Sequence, residues 1–162
     1  MGPIDLDWLA ETTVLHVPAY GLLTAADVLL TAARSVPAVT VDVSATSVVA
    51  TLGHRFHQLL DELAPAVVFA NAAEAAAAGL LDGAPWPMVV KRGPDPAWIL
   101  CDGRRVEVPA AAVGDVRDTT GAGDAFAGGF LTAFVDGADL VESCRAGHIA
   151  AATVLATAGA GR

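Results

Sequence analysis

Asp118-Thr-Thr-Gly-Ala-Gly-Asp-Ala-Phe-Ala-Gly-Gly-Phe130 is the stretch from which the rest of the chain can be read. Gly121-Ala122-Gly123 lets the backbone turn tightly and come close to a ligand, and it stands where an apolar helical pattern begins. Unpaired N–H groups and the positive end of a helix dipole converge at such a point. That combination suits an anion, above all a phosphoryl group whose equatorial oxygens gain charge during transfer. Asp124 follows at once, where a carboxylate could take the proton of an attacking hydroxyl. Gly128 and Gly129 suggest a helix that packs closely on its neighbours. The plainer reading is a Gly-rich strand-to-helix turn in which Asp124 only stabilises a helix N-terminus.

Around this stretch, short apolar runs alternate with longer helical patterns, which predicts an α/β fold with a largely parallel sheet. Strands are expected over 14–17, 39–43, 66–69 and 88–91, then a hairpin over 97–100 and 105–108 turning at Asp102-Gly103. Helices are expected over 24–34, 53–63, 72–79, 123–134 and 140–156. Thr24 is the expected cap of the first, with Asp27 in its positively polarised first turn. No repeat, charge block or low-complexity linker divides residues 1–162, so a single domain is expected.

The chain is 54% hydrophobic and 17% charged, and much of the apolar excess is Ala and Val, as in a small-residue α/β core. No apolar run reaches the roughly 20 residues of a membrane-spanning helix. The first residues, Met-Gly-Pro-Ile-Asp-Leu-Asp, have no basic n-region of a signal peptide. A net charge of -9 with scattered basic residues argues against a nucleic-acid partner. Cys101 and Cys144 lie far apart without metal-ligand spacing and read as reduced, buried thiols of a cytoplasmic protein. His16, His54, His57 and His148 form no ligand cluster, and Trp8, Trp86 and Trp98 read as packing anchors. Asp42 ends an apolar strand, where open α/β sheets bind ligands and where turn residues are equally at home.

The 118–130 stretch resembles the C-terminal signature of ribokinase-like sugar and nucleoside kinases, the phosphofructokinase-B family. Asp118, Thr119, Gly121, Ala122, Gly123, Asp124, Gly128 and Gly129 carry the likeness. It implies a three-layer αβα sandwich, ATP with Mg²⁺, Asp124 as the base, the Gly121, Ala122 and Gly123 amides as the anion hole, and Thr120 beside the nucleotide. The implied activity is phosphoryl transfer from ATP to a hydroxyl of a small sugar or nucleoside. Asn71-Ala-Ala-Glu74 is similar to the family's Asn-x-x-Glu motif, in which Glu74 organises Mg²⁺ through water. Without that context Asn71 and Glu74 form a capping box, and both roles can hold at once.

Val89-Val-Lys-Arg-Gly93 resembles the strand and loop that reach the nucleotide phosphates, with Lys91 and Gly93 as the contacts. Lys91 and Arg92 are either phosphate ligands or surface charges at a strand end. The family's second glycine is replaced by Pro96, so the loop cannot use a positive φ there. His148 falls where the family places an adenine-proximal Asn. Asp118 matches the acidic residue that helps hold a monovalent cation such as K⁺, although the chain stops at Ala158-Gly-Ala-Gly-Arg162, where that site would be completed.

The resemblance runs along nearly the whole chain but matches only the second half of a typical member, without the N-terminal part of the sheet, the lid and the Gly-Gly sugar signature. The sheet edge and helix faces so bared call for a second copy of the chain or a complementary N-terminal half. The expectation is a chain that carries the ATP and anion-hole half and turns over weakly alone. An inactive kinase-like module serving in structure or interaction is the alternative. A dinucleotide oxidoreductase is disfavoured because Gly121-x-Gly123 lacks the third glycine.

Overall fold

The computed structural model describes residues 6–114, 116 and 118–160. The expectations at the first residues and at Gly161 and Arg162 lie outside them. Helix α1 (Leu6–Ala10) leads to β1 (Val14–Pro18), a 3₁₀ turn (Ala19–Gly21) and α2 (Leu22–Ala33). Then come β2 (Ala38–Asp42), α3 (Thr46–Leu52), α4 (His54–Leu63), β3 (Val67–Asn71), α5 (Ala72–Ala77) and β4 (Met88–Lys91). The hairpin β5 (Ala97–Cys101) and β6 (Arg104–Val108) precedes α6 (Ala122–Val135) and α7 (Leu140–Ala160). The six strands form one sheet in chain order. The chain divides into two compact units, Met1–Val90 with Leu100–Arg104, and Lys91–Ile99 with Arg105–Arg162.

In the first unit β1, β2 and β3 pair in parallel, with Val17 opposite Val41 and Val41 opposite Val68. Val67, Val68, Phe69 and Ala70 are all buried, the unbroken apolar run expected of a strand covered on both faces. Helix α4 buries Phe56, Leu59, Leu60 and Leu63, one stripe at the 3.6-residue period, and leaves His54 and His57 exposed. It stops where Ala64 turns left-handed (φ 45°), just before Pro65. Thr40 is fully buried, and its hydroxyl is satisfied by His16 Nδ1 at 2.9 Å. Among the described residues no helix is long and apolar enough to cross a membrane.

The second unit is built on α6 and α7. Phe126, Ala127 and Phe130 are buried, and Phe126 and Phe130 stack with ring centroids 6.5 Å apart. Two glycines permit the close approach of these helices. A methyl group on Gly129 would lie 2.6 Å from Ala150 Cβ and 2.8 Å from the Ala146 carbonyl oxygen, and one on Gly147 would lie 2.8 Å from the Phe126 carbonyl oxygen. Gly128 plays no such part, since nothing lies within 4 Å of its added methyl. Neighbouring residues on a helix point about 100° apart, so only one of the pair faces α7.

Several expectations need correction. Helix α2 begins at Leu22 with Gly21 as its N-cap and no side-chain capping bond, so Thr24 is not the cap and Asp27 is not in its first turn. The 3₁₀ turn carries the chain into the helix early and buries Leu22, and the helical path breaks at Ala25 (φ -137°). Trp8 is 67% exposed and is no packing anchor. Cys144 is buried as expected, whereas Cys101 is only partly so. The Asp102-Gly103 turn has φ of 52° and 69° at its two central residues, the left-handed pair that a tight hairpin requires.

Candidate active site

Helix α6 opens at Gly121, whose φ of 79° is the left-handed conformation that glycine adopts without strain. The approach to it is held by Asp118, whose Oδ1 accepts from the Thr120 amide at 2.8 Å. That bond holds the Asp118 carboxyl below the ordinary carboxylate range. The Ala122 amide donates to the Thr119 carbonyl (3.2 Å) and the Ala125 amide to the Gly121 carbonyl (2.9 Å). The first of these bonds removes Ala122 from the expected set of free anion-hole donors. The Gly123 and Asp124 amides fall within the first turn, whose N–H groups have no carbonyl partner inside a helix.

Asp124 lies in that turn and is exposed. Its carboxylate is therefore not spent on packed protein, and it sits one residue from the amide of Gly123. Lys91, the last residue of β4, reaches the same place. A methyl built on Gly123 would lie 3.7 Å from Lys91 Nζ. The structure thus brings together a left-handed glycine, helix-start amides, a cation and a carboxylate. Nothing in the sequence spacing announces the approach of Lys91 to Gly123, since 32 positions of chain separate them.

Gly93 follows in the loop after β4 with a φ of 61°, so the positive φ of that loop stands at Gly93 and not at Pro96. Arg92 does not extend toward the α6 turn. Its Nη1 donates to the Pro96 carbonyl (3.2 Å), its Nη2 lies 3.6 Å from Asp95 Oδ2, and its guanidinium lies 4.1 Å from the centre of the Trp98 ring.

Asn71 and Glu74 occupy the first unit and form a complete capping box. Asn71 Oδ1 accepts from the Glu74 amide (2.9 Å), and Glu74 Oε2 accepts from the Asn71 amide (2.8 Å). Asn71 Nδ2 also donates to Glu74 Oε1 at 2.7 Å, and Glu74 is only 7% exposed. Among the described residues no three His, Cys, Asp or Glu gather to hold a metal directly. The donor set fits a hard cation that keeps its waters, because each engaged carboxylate oxygen of Glu74 retains a lone pair for a water. Asp42 serves locally, with Oδ1 accepting from the Ser44 amide at 2.8 Å.

His148, on α7, is 8% exposed and meets Phe126 edge-on at 5.1 Å. Burial holds its imidazole below the ordinary value, partly offset by a hydrogen bond to the Val108 backbone. Its Nε2 is buried and without a hydrogen-bond partner among the described residues, an unmet valence of the kind a ligand atom or a water fills. One consequence is measurable. A histidine with a depressed folded pKa takes up its proton more readily in the unfolded chain. Its contribution to stability is therefore complete above the ordinary value of 6.5 and is lost as the pH falls from there toward the lower folded value. Urea unfolding at pH 7.5 and 5.5 should show wild type losing more stability on acidification than His148→Asn, with a difference of at most about 1.4 kcal/mol per pH unit. Equal losses would show that burial does not hold the His148 imidazole below its ordinary value.

Comparison with known proteins extends these observations. The family described as pfkB family carbohydrate kinase matches residues 3–162. The adenosine kinase of Schizophyllum commune is 56% identical over 45 residues, which cover 28% of this chain and 13% of that protein. A nucleoside kinase of Methanocaldococcus jannaschii is 42% identical over 66 residues, covering 41% of this chain and 21% of the relative. The crystal structure of adenosine kinase from Sinorhizobium meliloti superposes with a TM-score of 0.85 at 26% identity, covering 99% of this chain and 58% of that one. The chain thus spans little more than half the length of this solved relative.

Proposed function

The chain belongs to the pfkB family of carbohydrate kinases, and we propose that it carries the ATP-binding and anion-hole half of an enzyme phosphorylating a hydroxyl of a small sugar or nucleoside. One observation bears most of the weight: Asp124 is exposed in the first turn of α6, beside helix-start amides and the Lys91 ammonium. In the proposed step the acceptor's hydroxyl proton passes to the Asp124 carboxylate as its oxygen forms a bond to the γ-phosphorus. The bond from that phosphorus to the bridging oxygen of ADP breaks in line. The Gly123 and Asp124 amides and the α6 dipole stabilise charge that grows on the equatorial oxygens, and Lys91 adds a point charge. Mg²⁺ would supply charge neutralisation on the nucleotide phosphates, and within the first unit Asn71 and Glu74 are the residues suited to hold a hydrated cation.

The nucleoside or sugar acceptor is supported by the names of the relatives, two of which are nucleoside-type kinases. His148, through its orphaned Nε2, is assigned to the nucleotide base. Slow turnover by this chain alone fits its coverage of 58% of a solved relative. A second reading, an inactive module of the same fold, draws on Pro96 in place of a glycine and on Arg92 being tied up in its own loop. Calorimetric titration of the chain with ATP and Mg²⁺ separates the two. Saturable one-to-one binding that weakens in Lys91→Ala is the expected result, and a flat titration would leave only the inactive module.

A further inference from the structure

We infer that β6 is the seam of a symmetric dimer, pairing antiparallel with β6 of a second copy of this chain about a two-fold axis at Val106. The strand stands last in the order of the sheet, and β5 is its one neighbour among the described strands. Arg104, Arg105, Val106 and Glu107 are all exposed, so no described element covers that edge. An open edge of this kind is a template for another strand.

The hairpin decides which main-chain groups face outward. β5 ends at Cys101 and β6 begins at Arg104, and the tight left-handed turn between them closes on a hydrogen-bonded pair. Hydrogen-bonded and open pairs then alternate along the ladder. The Val106 N–H and C=O are thereby turned toward β5, and those of Arg105 and Glu107 away from it. The same register sets Trp98 opposite Glu107, in keeping with the 3.2 Å bond from Trp98 Nε1 to Glu107 Oε1. Self-pairing about Val106 sets Arg105 opposite Glu107 of the second copy, and these are the residues with outward main-chain groups. Register and hydrogen-bond parity agree without a shift.

The side chains agree as well. Charge along an edge strand keeps sheets apart when like charges meet, whereas opposite charges facing each other across a pair stabilise it. About this axis each Arg105 guanidinium faces a Glu107 carboxylate of the other copy. Both groups are already restrained, since Arg105 lies 4.8 Å from the centre of the Trp98 ring and 3.9 Å from Glu107 Oε1. Less side-chain freedom is then lost on association. On the other face Val106 is 45% exposed, although Ile99 and Val108 beside it are buried. A second Val106 across the axis covers it. The net charge of -9 on each copy and the shortness of the seam oppose association, so the dimer is weak, with a Kd on the order of 10 µM.

Sedimentation of the whole chain between about 1 and about 100 µM tests this, and a reversible monomer–dimer equilibrium is the expected result. Arg105→Glu should weaken association at least about tenfold by setting like charges across the seam, and Glu107→Arg should do the same. The Arg105→Glu, Glu107→Arg double variant restores opposite charges and should recover association. A merely destabilised fold would not be rescued by a second charge reversal. Val106→Cys places two thiols at the axis, in an open pair whose Cα separation of about 4.5 Å suits a disulfide. On a Cys101→Ser background, oxidation should crosslink two chains of Val106→Cys and leave Val135→Cys, which is also exposed (42%), uncrosslinked. A chain monomeric at the highest concentration would overturn the inference. So would a dimer indifferent to both charge reversals, or crosslinking no faster in Val106→Cys than in Val135→Cys.

Discussion

Asp124→Asn should lower kcat about 10²–10⁴-fold in the kinase that contains this chain, while the affinity for ATP·Mg²⁺ stays within about threefold of wild type. The substitution keeps the volume of the side chain and removes its ability to accept a proton. Because Asp124 is exposed, no packed neighbour is disturbed. If Asp124 served only to stabilise the N-terminus of α6, the variant would lose less than about 1 kcal/mol of stability and little activity. The two readings therefore differ by orders of magnitude in one steady-state assay. A kcat within tenfold of wild type, with the variant folded, would take Asp124 out of the chemistry and the proposed mechanism with it.

The second large effect concerns the fold. Gly129→Ala and Gly128→Ala change adjacent residues of one helix and should move stability in opposite directions. At Gly129 the new methyl would meet Ala150 Cβ at 2.6 Å and the backbone oxygen of Ala146 at 2.8 Å, and a helix backbone cannot step aside cheaply. Overpacking of this kind costs about 3 kcal/mol, against roughly 1 kcal/mol gained from better helix propensity. A net loss of about 2 kcal/mol should lower the apparent Tm by roughly 4–8 °C. Gly128→Ala meets nothing within 4 Å and should keep the propensity gain alone. Thermal unfolding of the two variants decides the matter, and a stabilised Gly129→Ala would mean that α6 and α7 do not pack as described.

The sequence stated some of this architecture plainly. The buried strand β3 is legible because the expected run over 66–69 has no polar interruption, and Asp102-Gly103 because two left-handed residues in a row are a chemical demand few residues meet. Asn71 and Glu74 were readable as a cap at the right spacing, and the capping box forms. Helix α3 escaped notice because its seven residues carry no capping bond and too few turns to display a period. The start of α2 is not legible in this way, because the helix opens at the buried Leu22, before Thr24, with no side-chain cap to mark it.

The candidate site divides in the same way. The Gly121–Asp124 turn is a local object, and its residues predict its shape. The approach of Lys91 to Gly123 is a long-range contact, and no residue type along the chain encodes it. Arg92 shows the limit most clearly. As a cation next to a glycine loop it reads equally as a phosphate ligand or as a surface charge, and only Trp98 and the Pro96 carbonyl reveal where its charge is committed.

The glycine seam between α6 and α7 also sets a length. Where two helices touch through their main chains, neither can slide along or roll over the other without collision. His148 on one packs against Phe126, close behind the opening turn of the other, so the seam and not a loop sets where the imidazole stands beside that turn.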